Sequence, residues 1–136
     1  MEPIQRYRFG KEEKLKSRKL IEQLFREGSS FSNFPFKAIW KMNDNATAEL
    51  QVGFTASSKQ FKKAVDRNRI KRLMREAWRL QKGDLQLSLK NANKNLAVFI
   101  IYVGNEIPDY PFIFEKTGKL IKRLGKIVHE TDLANT

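Results

Sequence analysis

The stretch Ala64-Val65-Asp66-Arg67-Asn68-Arg69-Ile70-Lys71-Arg72-Leu73-Met74-Arg75-Glu76-Ala77-Trp78-Arg79 carries two patterns at once. Ile70, Leu73, Met74, Ala77 and Trp78 recur at i, i+3, i+4, i+7 and i+8, the spacing of a helix that lays one apolar stripe on a core. Asn68, Lys71, Arg72, Arg75 and Arg79 fall on the opposite side. Like charges at helical spacing destabilise a helix by tenths of a kcal/mol per pair, so a structural helix mixes in more Glu. A face this basic is reserved for phosphates, which the planar fork of arginine grips bidentately. Asp66, just before the helix proper, is placed to cap free N–H groups and to match the positive end of the macrodipole. Asn68 admits two readings, a local cap or a contact to a base or 2′-hydroxyl.

The charge is concentrated around this stretch. Residues 59–82 hold ten cations (Lys59, Lys62, Lys63, Arg67, Arg69, Lys71, Arg72, Arg75, Arg79 and Lys82) against two acids, two-thirds of the net +12 that 27 Lys and Arg and 15 Asp and Glu give the whole chain. Such an excess implies a polyanionic partner, nucleic acid before anionic membrane. At 136 residues, 40% of them hydrophobic, the chain is one domain able to bury a core. The absence of cysteine excludes disulfides, thiolate zinc sites and cysteine nucleophiles. No apolar run approaches the roughly 18 residues of a membrane span, and Met1-Glu2-Pro3-Ile4-Gln5-Arg6 lacks the apolar stretch of a signal peptide. The expected location is the cytoplasm, without a membrane partner.

Outward from the basic segment, residues 11–27 read as a helix, with Leu15, Ile21, Leu24 and Phe25 on one stripe and Gly28 as terminator. Before it, residues 1–10 read as a flexible basic arm in which Arg6, Tyr7, Arg8 and Phe9 alternate cation with aromatic. After it come strands. A short edge strand is expected near Phe31. From Phe36 to Lys41 the parity splits, with Phe36, Ala38 and Trp40 opposing Lys37, Ile39 and Lys41. Asn43, Asp44 and Asn45 make a turn. From Ala48 to Thr55 the parity splits again, with Ala48, Leu50, Val52 and Phe54 opposing Glu49, Gln51, Gly53 and Thr55. Such alternation means a sheet with one buried face and one open face, and here the open face carries lysines.

On the C-terminal side the basic helix is expected over 59–82, ending at Gly83. The polar, Asn-rich residues 85–95 read as a loop. Leu96 to Val103 is a continuous apolar run, the pattern of a buried central strand, followed by a Gly104-Asn105 turn. Residues 112–128 read as a last helix, with Leu120, Ile121, Leu124, Ile127 and Val128 on one side and Lys119, Lys122, Arg123 and Lys126 on the other. Residues 129–136 read as a flexible tail of a single domain, 1–136.

The Arg67-Asn68-Arg69 start, Lys71-Arg72, and Arg75-Glu76 before Ala77 and Trp78 closely resemble the signature of the bacterial ribonuclease P protein family. The resemblance extends to Val52-Gly53-Phe54-Thr55, a strand shortly before the signature, and to Phe25-Arg26-Glu27-Gly28 at the end of a first helix. It covers roughly residues 8–128. It implies an α+β fold, an α/β sandwich of a small four-stranded mixed sheet with three helices. It also implies a crossover of left-handed sense, contrary to the usual rule, linking parallel strands near 48–55 and 96–103.

The resemblance further implies function. Family members bind a large catalytic RNA and with it remove the 5′ leader of precursor tRNA; scission and its Mg²⁺ ions belong to the RNA, so the protein alone is expected to carry no catalytic residue, metal or cofactor. Carried onto this chain, the face toward ribonuclease P RNA is Arg67, Asn68, Arg69, Lys71, Arg72 and Arg75, and Lys59, Lys62, Lys63 and Arg79 of the same basic segment complete the RNA-binding set. The cleft for the single-stranded leader is Ile21, Phe25, Lys37, Ile39 and Lys41. Ile21 and Ile39 stand where relatives often carry aromatics, which weakens base stacking at those two positions. Tyr102-Val103-Gly104 lacks the basic residue that relatives often place after the last strand, and Lys59 and Lys62 are candidates to compensate.

Other function classes fit less well. A protein-only nuclease needs clustered carboxylates for two metals, or a histidine pair. The single histidine, His129, reads as a solvated side chain, and Glu12, Glu13, Glu22 and Glu27 have lysines as neighbours. A DNA-reading basic helix lacks its dimerising heptad or helix-turn-helix. Composition alone admits a ribosomal or general RNA-binding module. Trp40 and Trp78 read as core residues.

Overall fold

The structure, a computed structural model, describes residues 9–42 and 48–134. The arm's first eight residues and the Asn43–Asn45 turn lie outside the described residues. Along the chain run a 3-10 turn (Lys11–Glu13), α1 (Arg18–Glu27), β1 (Ser29–Asn33), β2 (Phe36–Met42), β3 (Leu50–Ala56), α2 (Ala64–Gln81), α3 (Gly83–Ala92), β4 (Leu96–Tyr102) and α4 (Tyr110–Ala134).

The strands form one sheet in the order β1-β2-β4-β3. β1 pairs antiparallel with β2, β2 antiparallel with β4, and β3 parallel with β4. The apolar run at 96–102 is therefore an interior strand, paired on both edges, as its composition required. β1, near Phe31, is the edge strand expected there.

Helices cover both faces. On one, Phe36, Ala38, Leu50, Val52, Val98, Ile100 and Tyr102 meet Ile70, Met74, Ala77 and Trp78 of α2, Leu85 and Leu89 of α3, and Ile113, Leu120, Ile121, Leu124 and Val128 of α4. Trp78 is fully buried, and Trp40 packs partly buried against the same core. Burial of this stripe holds α2 in place against the repulsion along its outer face. On the other face a smaller cluster forms from Leu15, Leu24, Ile39 and Ala97, with Leu20, Ile21, Phe99 and Ile101 packed on it.

Five expectations are corrected. The first helix begins at Arg18, not residue 11. Lys14 bridges to Val52 and the Leu15 N–H donates to the Val52 carbonyl at 2.9 Å, so this stretch is extended and docks on β3. Ser17 then caps α1, its Oγ accepting from the Leu20 N–H at 3.3 Å. Phe9 and Gly10 are not part of a loose arm. The Gly10 N–H donates to Glu13 Oε2 at 2.7 Å, and the Phe9 ring meets Phe54 edge-on with centroids 6.4 Å apart.

The basic helix begins at Ala64 rather than 59, which places Asp66 inside its first turn instead of before it. Gly83 does not end the helical run. It opens α3, where a loop was expected, so the described residues hold four α-helices instead of three. Leu85 and Leu89, one turn apart, are buried and hold α3 down, and Asn93 stops it in the left-handed region with φ 55°. Finally, α4 runs from Tyr110 to Ala134, so positions 129–134 are helical instead of a tail. The Asp109 carboxylate accepts from the Phe112 N–H at 2.9 Å and caps the start of this helix.

Candidate RNA interface

Two surfaces take shape from these elements. The first is the outer side of α2. Because Ile70, Met74, Ala77 and Trp78 point into the core, Asn68, Arg72 and Arg75 are thrown outward and exposed, and Lys71 and Arg79 flank them half-buried. Arg69 is exposed beside them. Arg69, Lys71, Arg72 and Arg75 have no carboxylate partner among the described residues. Asn68 lies within the helix with its side chain exposed, so it is not the helix cap.

Other members of the basic segment have local tasks. Arg67 donates from its guanidinium to the carbonyls of Phe61 at 2.7 Å and Lys62 at 2.9 Å, bracing the loop that carries the exposed Lys59, Lys62 and Lys63 into α2. Arg79 forks onto Glu76, at 2.6 and 3.0 Å. That contact pulls the Glu76 carboxyl below its ordinary range and pushes the Arg79 guanidinium further up. Lys82 is withdrawn altogether. It is 1% exposed, ion-paired to Glu13 and set 5.4 Å from the Phe9 ring centroid. Gln86 donates to the same Glu13 oxygen at 2.8 Å.

This buried clasp draws the N-terminal segment against α2. Phe9 and Lys14 therefore join Arg72, Arg75, Glu76, Arg79 and Tyr110 around a shallow groove of about 470 Å³. Lys14 sits 5.6 Å over the Phe9 ring. The N-terminal contribution to this groove was not read from the sequence, because it depends on Glu13 meeting Lys82 across 69 residues.

The second surface is the sheet face under α1. Strand register arranges it in rows. Lys37, Ile101 and Thr55 form one row; Ile39, Phe99 and Gly53 the next; Lys41, Ala97 and Gln51 the third. Helix α1 covers Ile39 and Ala97 with Leu24, so Ile39 is 6% exposed and forms the floor rather than the open surface. Ile21 packs on the same cluster, half-buried. Phe25 projects from α1 at 55% exposure and meets Phe99 edge-on with centroids 5.6 Å apart.

Lys37 is exposed. Lys41 donates to Glu27 Oε2 at 2.7 Å and, together with Gln23, holds the Glu27 carboxyl below its usual range. The structure thus brings all five expected cleft residues to one face, with Phe25 and Lys37 the most available.

Phe99 was missed. Within a continuous apolar run its exposure left no mark, but the strand parity of Ala97, Phe99 and Ile101 against Leu96, Val98 and Ile100 was the signal that places it on this face. Gly53 explains how the ring fits. A Cβ built there would stand 2.7 Å from the Phe99 ring, so only glycine lets the ring lie across β3. Phe25 and Phe99 supply the aromatic surface that the aliphatic Ile21 and Ile39 do not.

Among the described residues no group of three His, Cys, Asp or Glu is placed to hold a metal ion. No helix is long and apolar enough to cross a membrane. His129 is exposed on α4.

A mixed sheet with an arginine-rich helix on one side and an aromatic cleft on the other defines an RNA-binding α+β protein. Residues 9–125 match the family model described as ribonuclease P, and the chain belongs to that family. It is 30% identical over 126 residues to a ribonuclease P protein component of Porphyromonas gingivalis, covering 92% of each chain. The ribonuclease P protein from Thermotoga maritima has a similar structure, with a TM-score of 0.62, 26% identity, and coverage of 82% of this chain and 96% of that one. The Staphylococcus aureus ribonuclease P protein shares the fold at a TM-score of 0.64 and 20% identity, over 82% of this chain and 94% of that one. Membership makes ribonuclease P RNA the partner of this chain.

Proposed function

We propose that this chain places its α2 face on the phosphates of ribonuclease P RNA and holds the 5′ leader of precursor tRNA in the cleft between α1 and the sheet. The observation that carries this reading is the row Arg69, Lys71, Arg72 and Arg75, which have no carboxylate partner among the described residues and project from a helix that buries Ile70, Met74, Ala77 and Trp78 on its other side. Fixed cations of this kind bind a polyanion by displacing its counterions. The leader, single-stranded, has exposed base faces for Phe25 and Phe99 and phosphates for Lys37.

The protein's part is positional and electrostatic. It relieves phosphate crowding where catalytic RNA and substrate meet, and it keeps the leader in register. Scission and the Mg²⁺ ions that serve it lie with the RNA, and the particle works in the cytoplasm. The test is cleavage of a precursor tRNA by a cognate ribonuclease P RNA at low Mg²⁺, with and without the protein. Added protein switches on cleavage at the mature 5′ end. No change, with folded protein and active RNA, contradicts the assignment.

A further inference from the structure

Helix α4 carries a second cation row that the reading above leaves unused. Lys119, Lys122, Arg123 and Lys126 fall at i, i+3, i+4 and i+7, opposite Leu120, Ile121, Leu124 and Val128, which are buried. From Lys116 to His129 the helix holds five cations and no acid. Glu115 pairs with Lys119 at 3.4 Å at the start of the row. Lys122, Arg123 and Lys126 have no carboxylate partner among the described residues.

Two features set this row apart from an ordinary solvated helix face. Arg123 is held in one orientation, its guanidinium 4.2 Å from the Phe31 ring centroid and donating to the Ser32 carbonyl at 3.1 Å. The edge strand β1 thus fixes a cation at the flank of the row. Gly125 lies between Lys122 and Lys126 in a 25-residue helix, and a Cβ there would meet nothing within 4 Å. Among the described residues no packing calls for a glycine that weakens the helix. Its effect is to bare the backbone beside the cations.

We infer that the outer face of α4, with Arg123 braced on β1, is a second RNA-backbone site, so that the protein grips two RNA segments at once. This rests on the α2 reading, which supplies the polyanion, and concerns a different helix. The ligand is a run of sugar–phosphate, contacted by Lys119, Lys122, Arg123 and Lys126 without base selection, since the three lysines offer point charges and the Arg123 fork is held by Phe31 and Ser32.

The test is filter binding of the full-length protein to ribonuclease P RNA encoded by the same genome, across a salt series. Three folded variants are compared with wild type: K119Q/K122Q/K126Q, K119R/K122R/K126R and R72A/R75A. The glutamine triple lowers the slope of log affinity against log salt by about two to three and weakens binding roughly tenfold or more, while the arginine triple keeps both near wild type. A glutamine triple with wild-type slope and affinity overturns the inference. If R72A/R75A weakens binding in that same case, the α2 reading stands; if it too changes nothing, both fall. Sedimentation with phosphatidylserine–phosphatidylcholine vesicles adds a further arm. Vesicle binding lost in the glutamine triple, with RNA binding intact, assigns the face to a membrane and overturns the inference.

Discussion

The α2 face and the α1–sheet cleft are both basic, yet they are built in opposite ways. On α2 the cations stand on the outside of a helix that buries Ile70, Met74, Ala77 and Trp78, and Arg69, Arg72 and Arg75 are exposed, Lys71 half-buried, with no carboxylate partner among the described residues. In the cleft, Lys41 is already engaged by Glu27, Ile39 is roofed by α1, and the available surface is largely the Phe25–Phe99 pair. The first arrangement suits a ligand that is everywhere negative. The second suits one that is single-stranded and offers base faces. Charge alone does not tell them apart; the packing behind each charge does.

The largest effect is expected behind the α2 groove. Glu13→Ala takes the Glu13 carboxylate away from the buried Lys82, and breaking a buried ion pair costs about 3–5 kcal/mol. Chemical denaturation checks this; a loss below about 1 kcal/mol would show that the clasp does not hold the N-terminal segment to α2. Next, Arg72→Ala with Arg75→Ala removes two cations that have no carboxylate partner among the described residues. Affinity for ribonuclease P RNA should fall roughly tenfold to a hundredfold and the salt slope by about two, with the melting transition unchanged.

In the cleft, Phe99→Ala or Phe25→Ala should weaken binding of leader-bearing precursor tRNA to the assembled particle by about 1–3 kcal/mol, the worth of a stacked base, without affecting mature tRNA. The smallest effect is in acid. Hydrogen bonding from Lys41, then from Gln23, lowers the Glu27 pKa, so this contact contributes above the ordinary carboxylate range and is lost as pH falls through the lowered value. From neutral pH down to about 5 nothing should change. An NMR titration of Glu27 is expected to give a pKa below that of an unperturbed glutamate, rising toward the ordinary value in Lys41→Ala. An unshifted Glu27 would mean that Lys41 is free in solution, bringing the cleft closer in character to α2.

Local periodicity made much of this legible. The stripe Ile70–Trp78, the split parity of 36–41 and the apolar run from Leu96 each depend on neighbours close in sequence, and each reads directly into α2, β2 and β4. Helix α3 was hidden because Gly83 and the asparagines at 91, 93 and 95 are local breaker signals, while only Leu85 and Leu89, buried by the rest of the fold, oppose them. The start of α1 was hidden for a similar reason. Residues 14–15 have the composition of a helix but are captured by β3.

The site divides along the same line. Outward cations on α2 follow from the helical period. The withdrawal of Lys82 and the bracing role of Arg67 depend on distant or backbone partners that no pattern of residue types announces. Phe99 falls between the two: its face is set by parity, its exposure by how far α1 reaches.

The central claim is that α2 holds the catalytic RNA and the cleft holds the leader. The direct measurement is a crossed one: affinity for ribonuclease P RNA, and the ratio of precursor to mature tRNA affinity in the assembled particle, for Arg72→Ala/Arg75→Ala and for Phe99→Ala. The arginine pair should lose RNA affinity and, once saturated with RNA, keep the precursor preference; Phe99→Ala should keep RNA affinity and lose the preference. If both variants lose the same quantity, or Phe99→Ala leaves the preference whole, the division of labour between the two surfaces is wrong.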